Sequence, residues 1–210
     1  MSPATVDLQG LPLFPLQSVL FPDGLLGLKV FEARYLDLMG TCLRENRSFG
    51  VVALRRGQEV KLPADAIEFE PVGCLAELID VDSTQPGILH VRCRGGRRFR
   101  ALDSWQGEDG LWTAEVELID HDAAALPTRE LLSTATALAQ LIQTMKQKEQ
   151  GALPFLEPYR FDDAGWIANR WCEILPIPLA ARQKLMELDD PLVRLQLVHQ
   201  FLRQKRILDS

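Results

Sequence analysis

LPLFPLQSVLFPDGLLGLKVFEARYLDLMGTCLRENRSFGVVAL, residues 11–54, holds an entry segment, a strand, a helix and a second strand. Pro12, Pro15 and Pro22 each lack an N–H and fix φ, so Leu11–Phe21 reads as extended but only partly paired in a sheet. Asp23-Gly24 is a turn signal. Leu25–Phe31 is apolar enough for a strand buried on both faces, and from Glu32 the period changes. Tyr35, Leu38, Met39, Cys42 and Leu43 recur at helical spacing. Glu32 sits in the first turn, where the helix dipole favours a negative charge. Gly40 costs that helix about 1 kcal/mol against Ala, which close packing there would justify. Asn46-Arg47-Ser48 ends it, and Phe49–Leu54 returns as a strand.

Outward from this stretch, Arg55–Pro71 reads as a long polar loop with a short strand near Glu59–Leu62. Val72–Asp120 is β in character. Val72–Val81 alternates imperfectly, Ser83–Gly87 is a turn, and Ile88–Cys93 alternates cleanly. Gly95-Gly96 reads as a tight hairpin turn with Arg97–Leu102 pairing back. Leu111–Ile119 is a last long strand, with Trp112, Ala114, Val116 and Leu118 on one side and Thr113, Glu115 and Glu117 on the other. Six or seven mostly antiparallel strands suit a small closed barrel, which leaves few exposed edges. At Asp120–Pro127 the composition shifts to a linker, and helical periodicity follows. The expected helices are Thr128–Gln150, capped by Thr128, then Asp163–Leu175, Pro178–Leu188, and a last one opened by Asp190-Pro191. The fold class is therefore α+β: a mostly antiparallel β-barrel-like region over residues 1–120, then a bundle of about four helices over 121–210.

Two hundred and ten residues bury roughly 70% of their unfolded surface, so no metal or disulfide is required for folding. The 47% hydrophobic and 25% charged composition is that of a soluble globular protein. A net charge of −6 argues against bulk nucleic-acid affinity and a cationic membrane role. Cys42, Cys74, Cys93 and Cys172 form no CxxC pair and read as small core residues in a reducing compartment; a disulfide requires the fold to bring two together. No apolar run approaches the ~20 residues of a membrane span, so a cytoplasmic location is expected.

LPLFPL, VLFP, VFEARY and FGVV, with VGCLAELIDV, GILHVRCRGGRRFRAL and the closing ANRWCEILPIPLAARQKLMELDDPLVRLQLVHQFL, resemble the N-terminal, substrate-binding domain of Lon proteases. The chain resembles more closely the stand-alone bacterial proteins made of that domain alone. The resemblance implies a PUA-like barrel followed by helices, and a role in recognising polypeptides. It does not imply proteolysis: the Ser-Lys proteolytic region has no counterpart here. There is also no G-x-x-x-x-G-K-[ST], G-x-S-x-G, H-E-x-x-H or G-x-G-x-x-G. No catalytic, metal or cofactor residues are assigned, and none of His90, His121 and His199 has a nucleophile and carboxylate near it in sequence.

Two candidate sites follow. The first is a peptide site with Phe31, Arg34, Tyr35 and Trp166, in which the FEARY segment either floors a groove or ties the helix to the barrel through Glu32 and an arginine of the GGRRFR segment. Trp166 and Trp171 face roughly opposite ways on a regular helix, and an exposed member would be a contact. This reading makes the protein a non-enzymatic binding module, an adaptor or holdase for unfolded or protease-targeted polypeptides, or a module for a partner protein. The alternative is an anion or RNA site on Arg92, Arg94, Arg97 and Arg98, if a hairpin presents their guanidiniums together. The plain structural alternative is a solvated face offset by Glu115 and Glu117. A hydrolase with an unrecognised site ranks last.

Overall fold

The computed structural model describes residues 4–56, 67–148 and 153–208. The expected strand near Glu59–Leu62 lies outside them. The chain divides into two compact units, Met1–Asp120 and His121–Ser210.

The first unit contains β1 (Leu11–Leu16), β2 (Leu25–Val30), α1 (Ala33–Glu45), β3 (Phe49–Arg56), β4 (Glu68–Phe69), β5 (Val72–Gln85), β6 (Ile88–Gln106) and β7 (Trp112–Leu118). Neighbours run β1-β7-β6-β5-β3, and a parallel β1–β3 pairing closes the ring. All the other pairings are antiparallel. The prolines of β1 fit this closure because the strand changes neighbours along its length. Leu11–Leu13 face β7 and Leu13–Leu16 face β3, so Pro12 and Pro15 are each paired on one side only.

Leu11, Leu13, Val52, Leu75, Phe99, Ala114 and Val116 form one core cluster. It takes residues from every strand of the ring and fills the barrel. A second cluster joins the opposite face of β1 and β3 (Phe14, Leu16, Phe49, Val51) to Val30 and to Tyr35, Leu38, Met39 and Cys42 of α1. Leu43, expected on that helical stripe, is 53% exposed, one position beyond the buried face. Gly40 has only the flexible Arg44 guanidinium near its missing Cβ, so close packing does not explain it. Asn46 takes the left-handed conformation (φ 49°) and ends α1.

The structure corrects the reading of Gly95-Gly96. β6 runs unbroken through both glycines, and neither has positive φ, which a two-residue hairpin turn requires. The hairpin turn is Pro86-Gly87, with Gly87 at φ 77°. Gly95 answers a close approach instead. A Cβ there would sit 2.0 Å from the Phe21 carbonyl oxygen, and the Phe21–Gly24 turn exchanges backbone hydrogen bonds with this point of β6. Between Cys74–Ala76 of β5 and Gly95–Arg98 of β6 the register shifts, a bulge that bends the strand.

The second unit contains a 3-10 turn (Arg129–Leu131), α2 (Leu132–Gln147), α3 (Ala164–Ile174), α4 (Leu179–Glu187) and α5 (Pro191–Gln204). Thr128 precedes the 3-10 turn without a side-chain cap, so α2 starts later than its sequence signal. Asp163 accepts from the Trp166 N–H and Asp190 from those of Leu192 and Val193, capping α3 and α5. Residues 164–172 of α3 are all buried. The buried Arg194 on α5 donates to Asp122, Asn169 and the carbonyls of Leu185 and Leu188.

Candidate binding groove beside β2

β2 stands off the barrel ring. It pairs with β6 alone, Leu25–Val30 against Leu89–Arg94, and its other edge is unpaired among the described residues. The strand is not buried on both faces, as its composition suggested. Gly27 and Lys29 are exposed, whereas Leu26, Leu28 and Val30 turn toward the core cluster under α1. This is the period-two alternation of a half-covered strand.

Along β2 lies a groove of about 360 Å³, lined by Phe14, Leu16, Leu26, Leu28, Phe31 and Tyr35 with Ser18, Lys29 and Glu32. The rings of Phe14 and Tyr35 stack at 3.8 Å, 10° from parallel. The Arg34 guanidinium lies 4.6 Å from the Tyr35 ring centroid. Arg34 is buried, donates to the Gly110 carbonyl at 2.7 Å and pairs with Glu32 at 2.8 Å. It thus holds the start of α1 to the loop before β7. Glu32 engages Arg34 in its own turn, not an arginine of β6. Phe31 is 52% exposed at the groove's rim.

Phe31, Arg34 and Tyr35 therefore meet in one place. Trp166 lies in the other unit, 3% exposed beneath Tyr159 and Phe161. Trp171 is buried too, its indole N–H donating to the Thr134 carbonyl at 3.1 Å. Neither tryptophan is an exposed contact: α3 is covered all round, so opposite directions on it both lead inward.

Arg92 and Arg94 lie two residues apart on the outer face of β6, whereas Arg97 is half-buried and Arg98 is buried. Arg92 lies 4.0 Å from Asp80, and Arg94 is in register with Glu77. Arg97 donates to the Ile119 carbonyl and to Asp120, at 3.3 and 3.4 Å. Arg98 is 4% exposed, and Arg100 is in register with Glu117. The absence of a hairpin at Gly95-Gly96 leaves the exposed Arg92 and Arg94 on one stretch of β6 and places Arg97 and Arg98 beyond the bulge.

Burial pushes the Cys42 thiol up to about 11 and those of Cys93 and Cys172 to about 12. These thiols stay protonated at neutral pH, the opposite of an activated nucleophile. Among the described residues, no three His, Cys, Asp or Glu side chains are grouped to hold a metal, and no helix is long and apolar enough to cross a membrane.

These features define a barrel-plus-helices domain with an apolar groove along a free strand edge. The chain belongs to the family of the ATP-dependent protease La (LON) substrate-binding domain, whose model matches residues 10–204. It is similar to the Lon protease of Anaeromyxobacter dehalogenans (strain 2CP-C), 26% identical over 201 residues, covering 93% of this chain and 23% of that protein. For Lon protease 2 of Myxococcus xanthus the figures are 26% over 203 residues, 94% and 24%. The chain thus spans about a quarter of the length of these relatives. Among solved structures, a Lon N-terminal domain protein from Xanthomonas campestris matches with TM-score 0.70 and 33% identity, covering 90% of this chain and 96% of that one. The N-terminal domain of a Mycobacterium avium complex Lon protease shares the fold, with TM-score 0.61 at 14% identity over 93% and 98% of the two chains.

Proposed function

We propose that the chain is a non-enzymatic polypeptide-binding module, an adaptor or holdase that receives exposed apolar segments of other proteins in the groove beside β2. The observation that carries this is the exposed Phe31 at the rim of a groove floored by stacked Phe14 and Tyr35. An aromatic in open solvent beside a preformed apolar depression loses hydration cost when a ligand covers it. The matched family is described as substrate-binding, which agrees with a recognition role without a catalytic one. In this reading Arg34 positions the groove floor, and Phe31 makes contact.

The test is fluorescence anisotropy of the whole chain with a labelled unfolded polypeptide, at low and moderate salt. Salt-resistant binding, weakened at least fivefold by Phe31→Ala, is the expected result. Equal affinity in the parent and the variant would show that the groove is not the site. An RNA probe serves as the control for the β6 arginines.

A further inference from the structure

We infer that the groove's occupant is an extended segment that adds to the sheet as a new strand on β2, with apolar side chains facing inward and carboxylates facing outward. The inference rests on the reading above and deepens it by naming the ligand's conformation and chemistry.

Three observations carry it. The first is the open edge. β2 spends one row of backbone N–H and C=O groups on β6, and the other row has no partner among the described residues. Such an edge templates another strand, and an incoming strand supplies the matching donors and acceptors with little regard to sequence.

The second is the inner face. Leu26 and Leu28 line the groove together with Phe14, Leu16 and Tyr35, at the two-residue period of a strand. A neighbouring strand in register places every second side chain over that floor, so the ligand must be apolar at alternate positions.

The third is charge on the outer face. Across the sheet, Asp82 of β5 is in register with His90 of β6, and His90 with Lys29 of β2. One row inward, Asp80 faces Arg92, which faces Gly27. Lys29 is exposed and has no ion pair or hydrogen bond with the described residues, in a chain of net charge −6. A carboxylate on the next strand completes its row as a cross-strand pair. β2 itself contains no acid, so a second copy of β2 offers Lys29 no carboxylate from within the strand. Gly27 leaves the outer surface open beside Lys29, with nothing within 4 Å of its absent Cβ.

The experiment uses the whole chain and a fluorescein-labelled nonapeptide of alternating Leu and Glu. Two derivatives carry backbone N-methyl groups, one on the Leu residues and one on the Glu residues. Only one parity of N–H points at β2, so one derivative should bind at least tenfold more weakly and the other within twofold of the parent. Which derivative fails reports the strand's direction. Lys29→Glu, an exposed change that leaves the core intact, should weaken the Leu–Glu peptide about threefold and tighten a Leu–Lys peptide by a similar factor. If both N-methyl series behave alike while Phe31→Ala still weakens binding, strand addition is wrong and the groove reading stands. If the unmethylated peptide does not bind at millimolar concentration, both are wrong. A dimer in the absence of peptide that the peptide dissociates would assign the edge to a second copy and overturn the proposal.

Discussion

Arg194→Met should destabilise the helical unit more than any other single loss of a hydrogen-bonding side chain there. Arg194 is 1% exposed, and all five of its N–H groups are used. Nε donates to the Leu185 carbonyl at 2.9 Å. Nη1 donates to Asp122 Oδ2 at 2.5 Å and to Asn169 Oδ1 at 3.0 Å. Nη2 donates to Asp122 Oδ1 at 3.2 Å and to the Leu188 carbonyl. One side chain thereby joins α5 to the linker, α3 and the end of α4. Methionine fills much of the volume but donates nothing, leaving a largely buried carboxylate, an amide oxygen and two carbonyls without this donor. Removing one partner of a buried charge pair costs about 3–5 kcal/mol, against a total stability of about 5–15 kcal/mol for a domain. Urea unfolding followed by circular dichroism at 222 nm measures it. Arg194→Lys keeps the charge with three donors on a point ammonium, and should lose about half as much. A loss under about 1 kcal/mol for R194M would refute the view that this arginine organises the unit.

Gly95→Ala should destabilise the barrel unit by about 3 kcal/mol, because the new Cβ would meet the Phe21 carbonyl at 2.0 Å and push the β2 entry turn off β6; thermal unfolding of the variant checks this, and wild-type stability would contradict it. His199 accounts for a pH effect. Burial, and then the neighbouring Arg203, hold its pKa below the ordinary value, with Glu130 partly opposing, while Nδ1 lies 2.8 Å from the Thr134 hydroxyl. The unfolded chain therefore binds the proton more readily. Its stabilising contribution is present above about pH 6.5 and is lost as pH falls from there toward the lower folded-state pKa. The melting temperature should drop between pH 7.5 and 5.5, less steeply in His199→Gln; equal slopes would show that His199 is not responsible.

Much of this architecture was legible along the chain. The helical stripe Tyr35–Leu38–Met39–Cys42 emerged from its spacing, and Asp190-Pro191 marked its helix start through local capping chemistry. The Lon-domain resemblance, carried by VFEARY and the closing helical stretch, is that of the family to which the chain belongs. The Gly95-Gly96 reading failed because a glycine has two distinct uses. Turn geometry and close approach demand the same residue, and only the Phe21 carbonyl lying against Gly95 tells them apart.

The same division runs through the groove. Sequence by itself determined what is decided within a few residues: strand and helix periods, caps, the absence of nucleotide and protease motifs, and the juxtaposition of Phe31, Arg34 and Tyr35 on one short segment. Tertiary structure alone decided which groups face one another across long separations. It stacked Phe14 on Tyr35, buried Arg98 and Trp166, and left one edge of β2 open among the described residues. Backbone pairing and burial depend on which strands become neighbours, and that is set by closure of the whole barrel, not by any window of the sequence.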